Sequence, residues 1–160
     1  MKRSKINYRL IINVVGILLI IEGLFVFSSL PFSVYYAKND FLKMVLFDGE
    51  HDFWALLISA VFITSVGGLL FLSTRNSSRS IGKREGYIIV SFSWIIISLF
   101  GAIPFILSVT IPSFTNAFFE TISGFTTTGA SILSDIEALP RGVLFWRSMT
   151  HWIGGMGIIV

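Results

Sequence analysis

The sequence predicts an all-α membrane protein of four spanning helices, with one shorter helix that enters the bilayer and turns back. Three observations carry this. Charged residues make up 13% of the 160-residue chain, against about a quarter in a soluble domain. The apolar residues, 54% of the chain, fall into long blocks rather than alternating, and the mean hydropathy is +0.82. The charges that remain gather at the ends of those blocks, where a membrane protein puts them.

Leu10 to Leu30 is the first block, interrupted by Asn13 and Glu22. Lys2, Arg3 and Lys5 precede it, as they would a signal peptide. A signal core is only about 7–15 residues long and ends at a small-x-small cleavage site. This block is longer, carries Glu22 and lacks a convincing site, so it reads as a retained helix. Trp54 to Leu72 and Tyr87 to Ile111 contain no charge, and Gly142 to Val160 contains one Arg and one His. About 20 apolar residues at ~1.5 Å each cross the hydrocarbon core. All four blocks read as spans.

The connections set the orientation. Residues 1–9 hold Lys2, Arg3, Lys5 and Arg9 and no acid. Residues 73–86 hold Arg75, Arg79, Lys83 and Arg84 against Glu85 alone. Residues 31–53 set Lys38 and Lys43 against Asp40, Asp48, Glu50 and Asp52, and residues 112–140 have no Lys or Arg. Basic loops stay inside. The N-terminus is therefore expected in the cytoplasm and both acidic connections outside. The polar run Thr74 to Ser80 is the best internal boundary. It separates an N-terminal helix hairpin (residues 1–73) and a cytoplasmic loop (74–86) from a helix–pore loop–helix repeat (87–160).

Pro112 to Gly124 is too short to cross. Ser113 or Thr115 can cap a helix here, and Gly124 can take the left-handed position just past its end. About ten helical residues remain, or about 15 Å, half a bilayer. Phe125 to Ser131 comes next, with Thr126, Thr127 and Thr128 before Gly129. β-Branched hydroxyl residues suit an extended strand. At membrane depth, irregular backbone survives only when buried in protein or lining water. A half-helix followed by such a strand implies a pore, with backbone carbonyls replacing part of a cation's hydration shell. The partly negative end of the half-helix favours a cation at the same spot. Taken alone, Thr126 to Gly129 also suits a surface turn. Its place between two spans, behind a short apolar helix, favours the pore loop.

Other residues offer less. With no cysteine, disulfides, iron–sulfur clusters and thiol-rich zinc sites are excluded. His51 and His151 lie far apart, so a resident metal would need scattered carboxylates. The net charge of +3 reflects membrane topology, not nucleic-acid binding. Glu22 lies mid-span, where a carboxyl usually has a partner or a water-filled cavity. It reads as a neutral or paired carboxyl between helices, with an ion-path role as the alternative. Glu120 on the short helix and Arg147 in the last span are expected to pair and brace one helix on the other. Gly154, Gly155 and Gly157 suit close helix packing, with a hinge as the alternative. Pro104 should kink or loosen the third span. His151 reads as a hydrogen-bonded helix histidine, and Asp135 and Glu137 as solvated loop charges.

Phe119 to Ala130, read as Phe-Glu-Thr-Ile-Ser-Gly-Phe-Thr-Thr-Thr-Gly-Ala, resembles the first pore loop of the Trk/Ktr potassium transporters of the TrkH type. Arg147 to Val160, with Trp152-Ile153-Gly154-Gly155, resembles the helix after that loop. Arg84 to Tyr87 and Ser98 to Phe105 resemble the preceding helix. The likeness covers most of residues 84–160 and extends to the first hairpin in layout. It implies four helix–pore loop–helix repeats joined in one chain behind an extra helix pair. Here that pair is Leu10–Leu30 and Trp54–Leu72, and the first repeat is Tyr87–Val160. It implies selectivity-filter backbone at Thr127, Thr128, Gly129 and Ala130, with potassium at Thr127, Thr128 and Gly129 and Ser131 just outside. It further implies a bacterial inner-membrane location, a homodimer and a cytosolic nucleotide-binding regulator of the TrkA type, with potassium as substrate and no cofactor. One repeat cannot surround an ion, so the chain is expected to be a fragment of a longer reading frame that does not conduct alone. The competing reading is a non-transporting assembly subunit or gene remnant. A membrane enzyme lacks support, because no clustered His/Asp/Glu set or activated nucleophile is visible.

Overall fold

The computed structural model describes residues 7–36, 52–75 and 82–159. All regular structure among them is helical. Lys2, Arg3, Lys5, Lys38, Asp40, Lys43, Asp48, Glu50, His51, Arg79 and Val160 lie outside the described residues.

Helix α1 runs Tyr8–Phe27, with the Asn7 side chain accepting the Leu10 N–H at 3.3 Å. After a turn at Ser28–Ser29 the chain continues as α2, Leu30–Tyr36. Pro31 sits in its first turn, where a missing N–H costs little. The first apolar segment is thus longer than Leu10–Leu30 and carries a bend near its end. Helix α3, Phe53–Thr74, packs antiparallel along α1. Asn13 donates to Thr74 Oγ1 at 3.1 Å near one end of the pair. Gly16 and Gly67 then meet backbone to backbone, and Gly23 abuts Thr64 and Ala60. Small residues let the helices approach closely enough for dispersion to hold them where the hydrophobic effect is weak.

Helix α4, Lys83–Gly101, gives way at Ala102 to α5, Ile103–Leu107. The break has the cause expected from Pro104, which has no N–H to offer Phe100 four residues back. The short helix α6 is Phe114–Phe125, and the last, α7, is Arg141–Ile159. Among the described residues three helical stretches are long and apolar enough to cross a membrane: Tyr8–Tyr36, Phe53–Thr74 and Glu85–Leu107. Helix α7 has 19 residues but carries Arg141, Arg147 and His151.

The hairpin and the later helices share one core. Leu19, Leu56, Ile63, Phe105, Phe125, Val143 and Trp146 are buried together in it. Trp146 donates its indole N–H to the Gly101 carbonyl at 3.0 Å, so the broken end of α4 is tied to α7. Phe125 meets Trp146 and Trp94 edge-on at 6.4 and 6.5 Å. At the other end of the hairpin, buried Asp52 accepts the Val143 N–H at 2.8 Å and the Ser33 hydroxyl. It caps α7 from 91 residues away. Phe32 stacks on Phe145 at 3.9 Å beside it.

Candidate functional site

Helix α6 has 12 residues, so it spans about 18 Å, and its C-terminal end sets the geometry of the Thr-Gly segment. Ser113 is its N-cap, with extended backbone but no side-chain cap bond. The C-terminal end departs from expectation. Gly124 is helical and buried within α6, and the left-handed residue is Thr127, at φ 55°. Thr127 N–H bonds to Gly124 O at 2.9 Å and Thr128 N–H to Ser123 O at 3.0 Å. These two bonds are a Schellman ending with Thr127 at C′. A β-branched residue there is a backbone outlier, held at a cost of about 1–3 kcal/mol. Gly124 is needed for another reason. A Cβ on it would overlap Thr150 Oγ1 of α7.

Thr126 and Thr127 are therefore a turn, not extended strand, because α6 must end on them. The non-helical stretch begins at Thr128. The hydroxyls of Thr126 and Thr128 lie 2.8 Å apart, and Thr126 also donates to Ile122 O at 2.8 Å. Gly129 has φ +76° and open space around it. Glycine is used there for its backbone angles, not for room. Residues 126–130 are exposed.

The four residues singled out from the sequence are not equivalent. Among the described residues the carbonyls of Thr127, Thr128 and Gly129 accept no hydrogen bond. The Ala130 carbonyl turns back to α6 and accepts the Ser123 hydroxyl at 2.5 Å. Ala130 thus anchors the segment, and the three residues before it carry the free carbonyls. No local pattern pointed to Ser123.

Glu120, 2% exposed, anchors the far side. Its carboxyl pairs with Arg147 Nε at 2.7 Å. It also accepts the Ser131 hydroxyl at 3.0 and 3.1 Å and the Ile132 N–H at 3.1 Å. One carboxylate thereby joins α6, the end of the Thr-Gly segment and α7. Gly154 completes the contact, since a Cβ on it would overlap the Phe125 carbonyl oxygen. Gly155 and Gly157 face no such constraint, with nearest atoms at 3.9 and 3.6 Å. The His151 ring edge packs near Gly124. Asp135 accepts the N–H groups of Glu137 and Ala138 at 3.0 and 3.2 Å, closing a turn in the outer loop. Among the described residues no cluster of three His, Asp or Glu suits a resident metal.

Three membrane-length apolar helices and a half-length helix with free carbonyls at its end define a helical integral membrane protein. Residues 54–160 match the TrkH family profile, described as a cation transport protein. The chain belongs to that family, a family of transporters and not of enzymes. It is 33% identical over 156 residues to the Trk system potassium uptake protein TrkH of Halomonas elongata, covering 96% of this chain and 30% of that protein. It is 44% identical over 98 residues to the Escherichia coli protein of the same description, covering 60% and 20%. The crystal structure of the potassium transporter TrkH from Vibrio parahaemolyticus superposes with a TM-score of 0.77 at 28% identity, covering 96% of this chain and 31% of that one. The chain spans about 30% of the length of the first of these relatives.

Proposed function

We propose that this chain supplies one quarter of the ion pathway of a Trk-type potassium uptake protein. In this reading α6 is the pore helix, Thr127 to Ala130 the selectivity-filter segment and α7 the fourth span. The observation that carries the reading is the row of three unengaged carbonyls, Thr127 to Gly129, at the C-terminal end of α6. Carbonyl dipoles and a helix C-terminus both favour a cation over an anion. Potassium at Thr127, Thr128 and Gly129 would need three similar strands facing it. The N-terminus is then cytoplasmic, in a bacterial inner membrane. A homodimer and a TrkA-type regulator on the side of Arg75 complete the assembly.

The test uses the complete reading frame, expressed in a bacterium stripped of its own potassium uptake systems. Growth at limiting potassium should be restored. Gly129→Ser should reduce the preference for potassium over sodium while leaving the protein folded. A side chain at Gly129 meets no atom within 4 Å, so its effect comes from the backbone angle alone. Left-handed backbone costs a residue with a side chain about 1–2 kcal/mol. Failure to restore growth, or an unchanged preference in the variant, sinks the reading. Wild-type protein that assembles in the membrane without moving cations would point to the non-transporting assembly subunit.

A further inference from the structure

Glu22 is a buried acid that the pathway does not use. It lies in α1, outside the pore repeat, and is 4% exposed. Neither carboxyl oxygen has a hydrogen-bond partner among the described residues. One of them points into the notch left by the missing side chain of Gly101, where α4 ends. A Cβ there would lie 2.8 Å from Glu22 Oε1, 2.8 Å from Thr121 Cγ2 and 3.1 Å from Phe125 Cε2. Glu22 therefore touches the rear of α6, on its last turn and a half. A cavity of about 50 Å³ adjoins it, lined by Leu18, Phe25, Ile97, Phe125 and Ile153 and otherwise apolar.

No charge offsets an ionised Glu22. Helix α1 has Arg9 near its start, α3 has Asp52 and Arg75 at its two ends, and α4 has Lys83, Arg84 and Glu85 in its first turn. Helix α6 has Glu120, which is paired with Arg147 of α7. Arg141 begins α7, and His151 packs at Gly124. None of these forms an ion pair with Glu22. An unpaired carboxylate in an apolar site is strongly disfavoured, whereas the neutral acid fits. The cavity is larger than the ~10–15 Å³ that one water needs. A proton donor or acceptor could therefore reach the acid.

We propose that Glu22 is a proton-binding site seated behind α6, and that loss of its proton disturbs the segment that α6 positions. A new unpaired charge against Thr121 and Phe125 would push on the residues from which Thr126 to Gly129 depart. The coupling to transport rests on the proposed ion pathway; the proton site itself does not.

The test compares wild type and Glu22→Gln, a neutral mimic of the protonated acid, in the complete protein. Infrared difference spectroscopy should show a protonated-carboxyl stretch in wild type that is missing in Glu22→Gln and fades as pH rises. Cation uptake into liposomes should fall along the same curve, approaching about tenfold per pH unit for one proton. Glu22→Gln should keep its uptake on that limb. No carboxyl band assignable to Glu22 at any pH overturns the proposal, and so do superposable uptake profiles of wild type and Glu22→Gln. A fading band in a wild type that takes up no cation leaves the proton site standing and refutes the pathway instead.

Discussion

Replacing Glu120 by Gln should damage the protein more than replacing its partner Arg147 by Gln. The asymmetry comes from the groups each change leaves behind. Glu120→Gln strands the Arg147 guanidinium, whose side chain is 13% exposed, and weakens the bonds from Ser131 and Ile132. Losing one partner of a buried pair costs about 3–5 kcal/mol, and the residual exposure of Arg147 puts this case at the lower end of that range. Arg147→Gln leaves the carboxylate with the Ser131 hydroxyl and the Ile132 N–H still donating to it. Hydrogen bonds to a charged group contribute about 1.5–3 kcal/mol each, so this loss should be smaller by about 1–2 kcal/mol. The double variant removes both charges, and its cost should fall short of the sum by about 1–3 kcal/mol. Unfolding free energies of the four proteins in detergent measure this directly. Potassium-to-sodium uptake ratios should follow the same order, since Glu120 also fixes the end of the Thr-Gly segment. Additivity within about 0.5 kcal/mol, or a worse outcome for Arg147→Gln, would refute the reasoning.

Two further contacts make predictions of their own. Gly154→Ala drives a methyl into a backbone oxygen that cannot rotate away. It should lower folded yield and cost about 1–3 kcal/mol or more in unfolding free energy, while Gly155→Ala, with its nearest atom at 3.9 Å, should be silent in the same assay. Asp52→Ala orphans the buried Val143 N–H and should cost about 1–3 kcal/mol in unfolding free energy, whereas Asp52→Asn, which keeps an oxygen acceptor, should lose less.

Much of this architecture was legible because its signals are local. Block length and charge placement mark the membrane helices. The short run from Pro112 to Gly124 is half-length by arithmetic alone, and Pro104 announces the break at Ala102. The parts that escaped sequence reasoning depend on contacts across the chain. Gly124 looks like a helix terminator in sequence, yet its hydrogen is demanded by Thr150 on another helix. The left-handed role then falls on Thr127, which intrinsic preference would never choose. Asp52 looks like one of several acids in an outer loop until α7 is seen to begin on it. Ala130 matches a filter position by motif, but its carbonyl is claimed by Ser123 seven residues back. A resemblance assigns positions; only the hydrogen bonds separate those that are free from those that anchor.

The N-terminal hairpin gains a role from these contacts. It touches the later helices through two buried acids, Asp52 at the start of α7 and Glu22 against α6 and the broken end of α4. The first contact fixes where α7 begins, and α7 in turn holds Glu120 through Arg147 and the end of α6 through Gly154. The second contact presses on α6 from the opposite side, at Thr121 and Phe125. The exposed Thr-Gly segment is only as well placed as α6, and α6 is held between α7 and the hairpin. Changes in the hairpin should therefore reach the segment without touching it, and the route runs through side chains that pack on α6 rather than through the loop at residues 74–86.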